Sequence, residues 1–250
     1  MADDTTFPVS LPLDRPSMAR PSVQAPALTP GKVAMWLFLA TEVMFFTGLI
    51  GTYIVLRAGS PPGAYSNLYP PNANLTEILK DKPEDLVLSS WPRPYDKATN
   101  PLNVGLTAAN TLILIVSSVL MALALRSFQR NQRRKGAMFL TLTALVGTVF
   151  LGVQVFEYSQ LLIGHLYPVG VSASGHFRPD SSLFASCFFT MTGFHGLHVA
   201  AGILMVGALA IRSWFGAYSA TNFGSVENVG LYWHFVDLVW SFLFAVVYLI

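Results

Sequence analysis

Charge is scarce in this chain. Asp, Glu, Lys and Arg supply 11% of its 250 residues and 53% are hydrophobic, whereas a soluble domain carries roughly 25% charge. With a mean hydropathy of +0.51, that deficit excludes a water-facing globular surface and implies an integral membrane protein. The formal net charge of +2 is too small and too dispersed for a nucleic-acid surface, and no basic patch is interleaved with aromatics. Cysteine is nearly absent: Cys187 stands alone in an apolar run. A lone thiol excludes an intrachain disulfide, a Cys-x-x-Cys site and covalent c-type haem attachment, so a small buried hydrophobe is the expected role. Proline is missing where it would break a helix. All 16 prolines fall outside five long apolar runs, unlike the interrupted helices of many transporters. No lysine or arginine lies in the interior of those runs, and internal repeats are absent.

The five runs are Val33–Leu56, Val104–Leu125, Ala137–Ile163, Leu183–Ile211 and Val229–Ile250. Each is long enough to cross a hydrocarbon core of roughly 30 Å. They predict an all-α polytopic membrane protein, a bundle of five transmembrane helices. The link Arg126–Lys135 holds five cations and no acid, which places it in the cytoplasm by the positive-inside rule. The amino terminus is then inside and the carboxyl terminus outside. Residues 1–31, Pro-rich and without the apolar core of a signal peptide, are expected to be a flexible cytoplasmic arm. Residues 32–250 form the five-helix domain, interrupted by a long external loop at 58–103. Its Pro-Pro pairs predict irregular chain, with one short polar helix at Thr76–Asp85. Gly105, Ala108, Ala109, Ser117 and Ser118 give the second span a small-residue face for close helix approach.

Polar groups inside the spans are costly unless they face protein or water, so each needs a partner. Glu42 lies about 15 Å into the first span. His195 and His198, three apart, share one face of the fourth. Glu227, His234 and Asp237, at spacings of seven and three, share about one face of the fifth. Helical rise puts Glu42, His195, His198, His234 and Asp237 in the inner half of the membrane, where neighbouring helices would gather them, with Glu227, into one proton-handling polar network. His234 and Asp237 are expected to pair one turn apart. Glu157 and Tyr158, near the outer end of the third span, and Trp233 in the fifth, are candidates for a lipid or subunit interface. His-x-x-His invites a metal reading, but a catalytic zinc needs a third ligand that the sequence does not place nearby, so hydrogen bonding between helices is expected and no metal site is assigned. No catalytic arrangement is found.

Five pieces in order carry a family resemblance. They are Thr41-Glu-Val-Met-Phe-Phe46, Asn110-Thr-Leu-Ile-Leu-Ile-Val-Ser-Ser118, Gln154 with Glu157-Tyr158, Thr192-Gly-Phe-His-Gly-Leu-His-Val199, and Glu227 followed by Tyr232-Trp-His-Phe-Val-Asp-Leu-Val-Trp240. Together they resemble subunit III of the haem–copper respiratory oxidases, cytochrome c or quinol oxidases of aerobic electron transport. The resemblance implies a multi-pass protein of the bacterial inner membrane with no redox centre of its own, haem and copper residing in partner subunits. It implies direct contact with subunit I, association with subunit II and other oxidase subunits, and bound phospholipid. Glu42 matches the family's buried mid-membrane carboxylate, which implies support for proton uptake and for the stability of the oxygen-reducing site. The chain departs from the seven-helix form in having five spans, like the shorter bacterial members, and in the length of its first external loop.

Other functions remain open to the sequence. An accessory subunit of nitric oxide reductase belongs to the same family. An autonomous b-type cytochrome would use His195, His198 and His234 as ligands, and a proton or solute channel would be built on Glu42, His195 and Asp237.

Overall fold

A computed structural model describes residues 29–59, 102–163, 179 and 183–249. The arm, save its last three residues, and nearly all of the external loop with the Thr76–Asp85 helix lie outside the described residues.

Local chemistry sets the helix ends. α1 (Pro30–Ala58) starts at Thr29, whose side chain accepts the Lys32 N–H at 3.4 Å, and it takes Pro30 and Gly31 out of the expected arm. Proline is tolerated in that first turn because its missing N–H has no helical partner there. α2 (Val104–Gln129) is capped by Asn103, which accepts from Leu106 N–H at 3.1 Å. It turns into α3 (Arg133–Ile163) at Asn131, whose φ of 58° is a left-handed conformation that asparagine tolerates. The N–H groups of Asn131 and Gln132 there bond the carbonyls of Phe128 and Ser127 at 2.8 Å, satisfying the end of α2. α4 (Leu183–Trp214) stops at Gly216, φ 81°, where a side chain would be strained. α5 (Gly224–Leu243) continues as a π-helical segment, Phe244–Leu249.

All five helices are long and apolar enough to cross a membrane. α1 to α4 begin at or before the predicted spans and reach or pass their ends, and α5 starts five residues early. Polar termini remain helical after the chain leaves hydrocarbon, which hydropathy does not register. Among the described residues the only β pairing is one isolated bridge between Ser219 and Asn222.

α2, α3, α4 and α5 close into a ring, each packed on the next and α5 returning to α2, while α1 lies outside the ring against α5 and α4. The ring is locked around Trp233. A Cβ at Gly147 of α3 would lie 2.6 Å from the indole, and one at Gly202 of α4 would lie 2.9 Å from it, so the two glycines are what let the helices close on that ring. Trp233 is wholly buried, and its indole N–H donates to Ser117 Oγ at 3.0 Å. This overturns its assignment to a lipid or subunit interface: it lies nine residues into α5, too deep for an interfacial belt, and is enclosed on two sides by helix backbone. α1 buries only Leu39, Phe46 and Tyr53, a stripe of period seven. Trp36, Leu37, Met44 and Val55 point outward, as hydrocarbon contact requires.

Candidate functional site

The seam between α1 and the ring holds the principal polar contact. Glu42 Oε2 of α1 lies 3.0 Å from His198 Nε2 of α4, both side chains partly buried. His198 Nδ1 is 2.7 Å from the carbonyl of Phe194 one turn back. A carbonyl only accepts, so Nδ1 carries a hydrogen, and Nε2 and Oε2 share one proton between them. Either form of the pair, carboxylate with imidazolium or carboxylic acid with neutral imidazole, has the same net charge. The proton can therefore sit on either partner with the net charge of the pair unchanged. The pair is walled by aromatics: Phe46 meets the imidazole edge-on at a centroid distance of 5.2 Å, and Phe45 packs on Phe194 at 5.2 Å. The Tyr232 hydroxyl of α5 donates to the His198 carbonyl at 2.9 Å, anchoring α4 from the other side.

The other predicted residues fall into separate groups. Glu227 pairs with Lys32, Oε1 to Nζ 2.7 Å, joining the first turns of α5 and α1. His234 Nδ1 lies 2.6 Å from Ser118 Oγ of α2. Asp237 sits beside the same hydroxyl, but neither of its buried carboxyl oxygens has a hydrogen-bond partner among the described residues. His234 and Asp237 thus share Ser118 as a neighbour and are not bonded to each other. His195 is fully buried, stacked on Trp240 at 4.9 Å and edge-on to Phe150 at 6.3 Å, with both ring nitrogens unpartnered among the described residues. The two histidines of α4 diverge because three residues on a helix are 60° apart, enough to send His195 into the ring and His198 to α1. The single inner-half network expected from depth is therefore divided, by direct bonds, into three contacts, with the Asp237 carboxyl and the His195 imidazole outside all of them.

Glu157 is buried between α3 and α2 with Thr107 Oγ1 at 3.0 Å. Tyr158 meets Thr192 Oγ1, and Gln154 Nε2 donates to Thr192 O at 2.9 Å, so these side chains tie α3 to α2 and α4 within the chain. An apolar cleft of about 230 Å³ opens between α1 and α5, lined by Val43, Phe46, Thr47, Ile50, Phe235, Leu238, Val239 and Phe242. Among the described residues no group of three or more His, Cys, Asp or Glu side chains is arranged to hold a metal ion, and His195, His198 and His234 face three different neighbourhoods.

Sequence reasoning missed Lys32, Ser118, Thr107 and Tyr232 as partners. For Lys32 the signal was present: the first turns of spans one and five face the same side of the membrane and carry opposite charges. The hydroxyls carried none beyond their small size, which reads equally as helix packing.

Comparison with known proteins follows the same residues. Residues 82–250 match the family described as cytochrome c oxidase subunit III. The chain is 33% identical over 215 residues to the cytochrome c oxidase subunit 3 of a Synechocystis species, covering 86% of this chain and 73% of the relative. It is 31% identical over 217 residues to the cytochrome bo(3) ubiquinol oxidase subunit 3 of Pseudomonas aeruginosa, covering 86% and 82%. It is 29% identical over 223 residues to the cytochrome c oxidase subunit 3 of Bacillus subtilis, covering 87% and 84%.

Proposed function

The chain belongs to the cytochrome c oxidase subunit III family, a family of multi-pass membrane proteins, and we propose that it serves as the non-redox subunit III of a bacterial haem–copper terminal oxidase. The complex, not this chain, reduces oxygen, and its haem and copper are held by partner subunits, subunit I being the direct neighbour. The electron donor is a cytochrome c or a quinol, since relatives named for both are equally similar at this level. The amino terminus lies inside and the carboxyl terminus outside, with the arm before α1 cytoplasmic and the loop between α1 and α2 external.

The observation that carries the mechanistic part is the Glu42–His198 contact across α1 and α4. A hydrogen-bonded carboxyl–imidazole pair keeps two proton-carrying groups at depth in the membrane at lower cost than a lone carboxylate, which suits support of proton uptake by the neighbouring subunit. Lys32–Glu227 holds the start of α1 in place, and His234, Asp237 and His195 supply further polar positions along the ring. The cleft between α1 and α5, with its apolar lining, is the place for an acyl chain of the phospholipid expected of the family. An autonomous b-type cytochrome finds no support in three histidines that point apart.

The test is purification of the tagged chain from its native membrane. A haem-containing partner and oxygen consumption are expected to travel with it, and their joint absence overturns the assignment. In that complex Glu42→Ala should leave assembly intact while proton delivery falters and the catalytic lifetime shortens. Turnover and lifetime equal to those of the parent complex at alkaline pH would remove Glu42 from this role.

A further inference from the structure

We propose that the ring of α2 to α5 holds bound water between His195, Gln154 and Asn110, a site inside this chain that goes beyond the oxidase assignment and does not rest on it. The bundle then has a wet centre beside the dry one built around Trp233. Among the described residues nine buried side-chain nitrogen or oxygen atoms lack a hydrogen-bond partner. Six of the nine belong to four residues, one on each helix of the ring: Asn110 of α2, Gln154 of α3, His195 of α4 and Asp237 of α5. Buried polar atoms without partners are uncommon in folded proteins, and ordered water is the usual partner where the chain supplies none.

Bonds and ring contacts bring three of these residues to one level. His195 stacks on Trp240 at 4.9 Å and meets Phe150 edge-on at 6.3 Å. Asn110 donates Nδ2–H to the Phe150 carbonyl at 3.2 Å, and Thr111 beside it accepts the Trp240 indole N–H at 3.0 Å, so α2 reaches both residues that wall the imidazole. Gln154 donates Nε2–H to the Thr192 carbonyl at 2.9 Å and rests on α4 next to His195, where a Cβ added at Gly196 would lie 3.4 Å from its Oε1. Backbone carbonyls only accept, so each amide must turn its nitrogen to them, and what remains at each is a buried oxygen in need of a donor. A neutral imidazole donates one hydrogen and meets at most one of the two oxygens, while its other nitrogen adds a third acceptor. A doubly protonated ring would meet both, at the cost of a charge in a wholly enclosed position. Water donates twice and closes the deficit. Two neutral amides and an imidazole carry no net charge, which suits a neutral ligand over an ion, and an apolar ligand would leave the oxygens unmet. Trp233 is surrounded differently: its indole N–H is on Ser117, glycines of α3 and α4 face it, and none of these neighbours has an orphaned atom.

The experiment uses the purified native complex. A density map is expected to show a water within roughly 2.7–3.2 Å of a His195 nitrogen and of Gln154 Oε1 or Asn110 Oδ1. An imidazole bonded directly to an amide oxygen with no water between the three side chains overturns the proposal. X-ray hydroxyl-radical labelling, read by mass spectrometry, then compares two tryptophans that are buried alike, Trp240 at 2% exposure and Trp233 at 0%. Radicals form from the water beside a ring, so Trp240 should be labelled well above Trp233, and equal labelling overturns the site. His195→Phe keeps an aromatic ring on Trp240 and removes both nitrogens; labelling of Trp240 should then fall roughly threefold or more, because a less polar cavity holds water poorly. Unchanged labelling in that variant also overturns the proposal, and where the variant does not assemble, the two tryptophans of the parent decide.

Discussion

The ring of α2 to α5 and the outlying α1 are held by different forces. In the ring, aromatic side chains are seated where glycine leaves room: Trp233 over Gly147 and Gly202, and Phe128 over Gly136, where a Cβ would come within 2.6 Å of the phenyl ring. α1 has no such interlock. Gly48 and Gly51 have nothing within 4 Å of an added Cβ, and the helix is attached by a sparse apolar stripe with Glu42–His198 and Lys32–Glu227. Lipid is as apolar as any leucine, so burial of α1 against the ring gains little from the hydrophobic effect, and shape and polar contacts must supply the difference. The ring is thus the scaffold, and α1 is a helix whose position depends on a few polar atoms.

The sharpest break of that contrast is a matched pair of glycine substitutions. Gly147→Leu drives a side chain into an enclosed indole that cannot move toward Gly202, and overpacking of this severity should cost about 3 kcal/mol or more. Gly48→Leu adds a side chain to open, lipid-facing space and should be neutral. Thermal unfolding in detergent, followed by aggregation onset, reads both. Equal sensitivity at the two positions would mean that α1 is packed as tightly as the ring.

A smaller effect separates the two regions at their seam. Removing one member of Glu42–His198 leaves the other without its partner at depth, a cost of about 1–3 kcal/mol. Because the loss belongs to the pair, Glu42→Leu with His198→Phe should cost less than the two single changes added together. Spin labels on α1 and α4 should show a broadened distance in each single variant, while a label pair on α2 and α3 stays as in the parent. A perturbed α2–α3 distance would show that α1 is part of the scaffold after all.

How much of this was legible beforehand follows from the same division. The spans were readable because length and apolarity are properties of consecutive residues, and all five are helices. The closing of the ring was not, since Gly147 and Gly202 acquire meaning only from the indole between them, and Trp233 carries no local mark that separates core from interface. Glu42 and His198 were marked by cost alone: an ionisable group in hydrocarbon announces that it has a partner without naming it. Depth estimates put the candidates at one level, but level is one coordinate of three. The direction in which each side chain leaves its helix sent His195 inward to Trp240, His198 to α1 and His234 to Ser118.

The mildest test concerns Lys32–Glu227. Both side chains keep some solvent contact, with 19% and 31% of their surfaces exposed. An ion pair so placed is screened by salt and contributes about 1 kcal/mol at most. Lys32→Gln should therefore leave ring stability unchanged and loosen only the first turns of α1, a change seen as faster amide exchange near Trp36, with the difference from the parent narrowing as salt is raised because screening loosens the parent too. Exchanging the charges, Lys32→Glu with Glu227→Lys, should restore protection at low salt if attraction between these two groups fixes the entry of α1. If exchange near Trp36 is the same in all forms, the helix start is held by Thr29 capping and the Leu39 contact, and the polar attachment of α1 reduces to the Glu42–His198 pair.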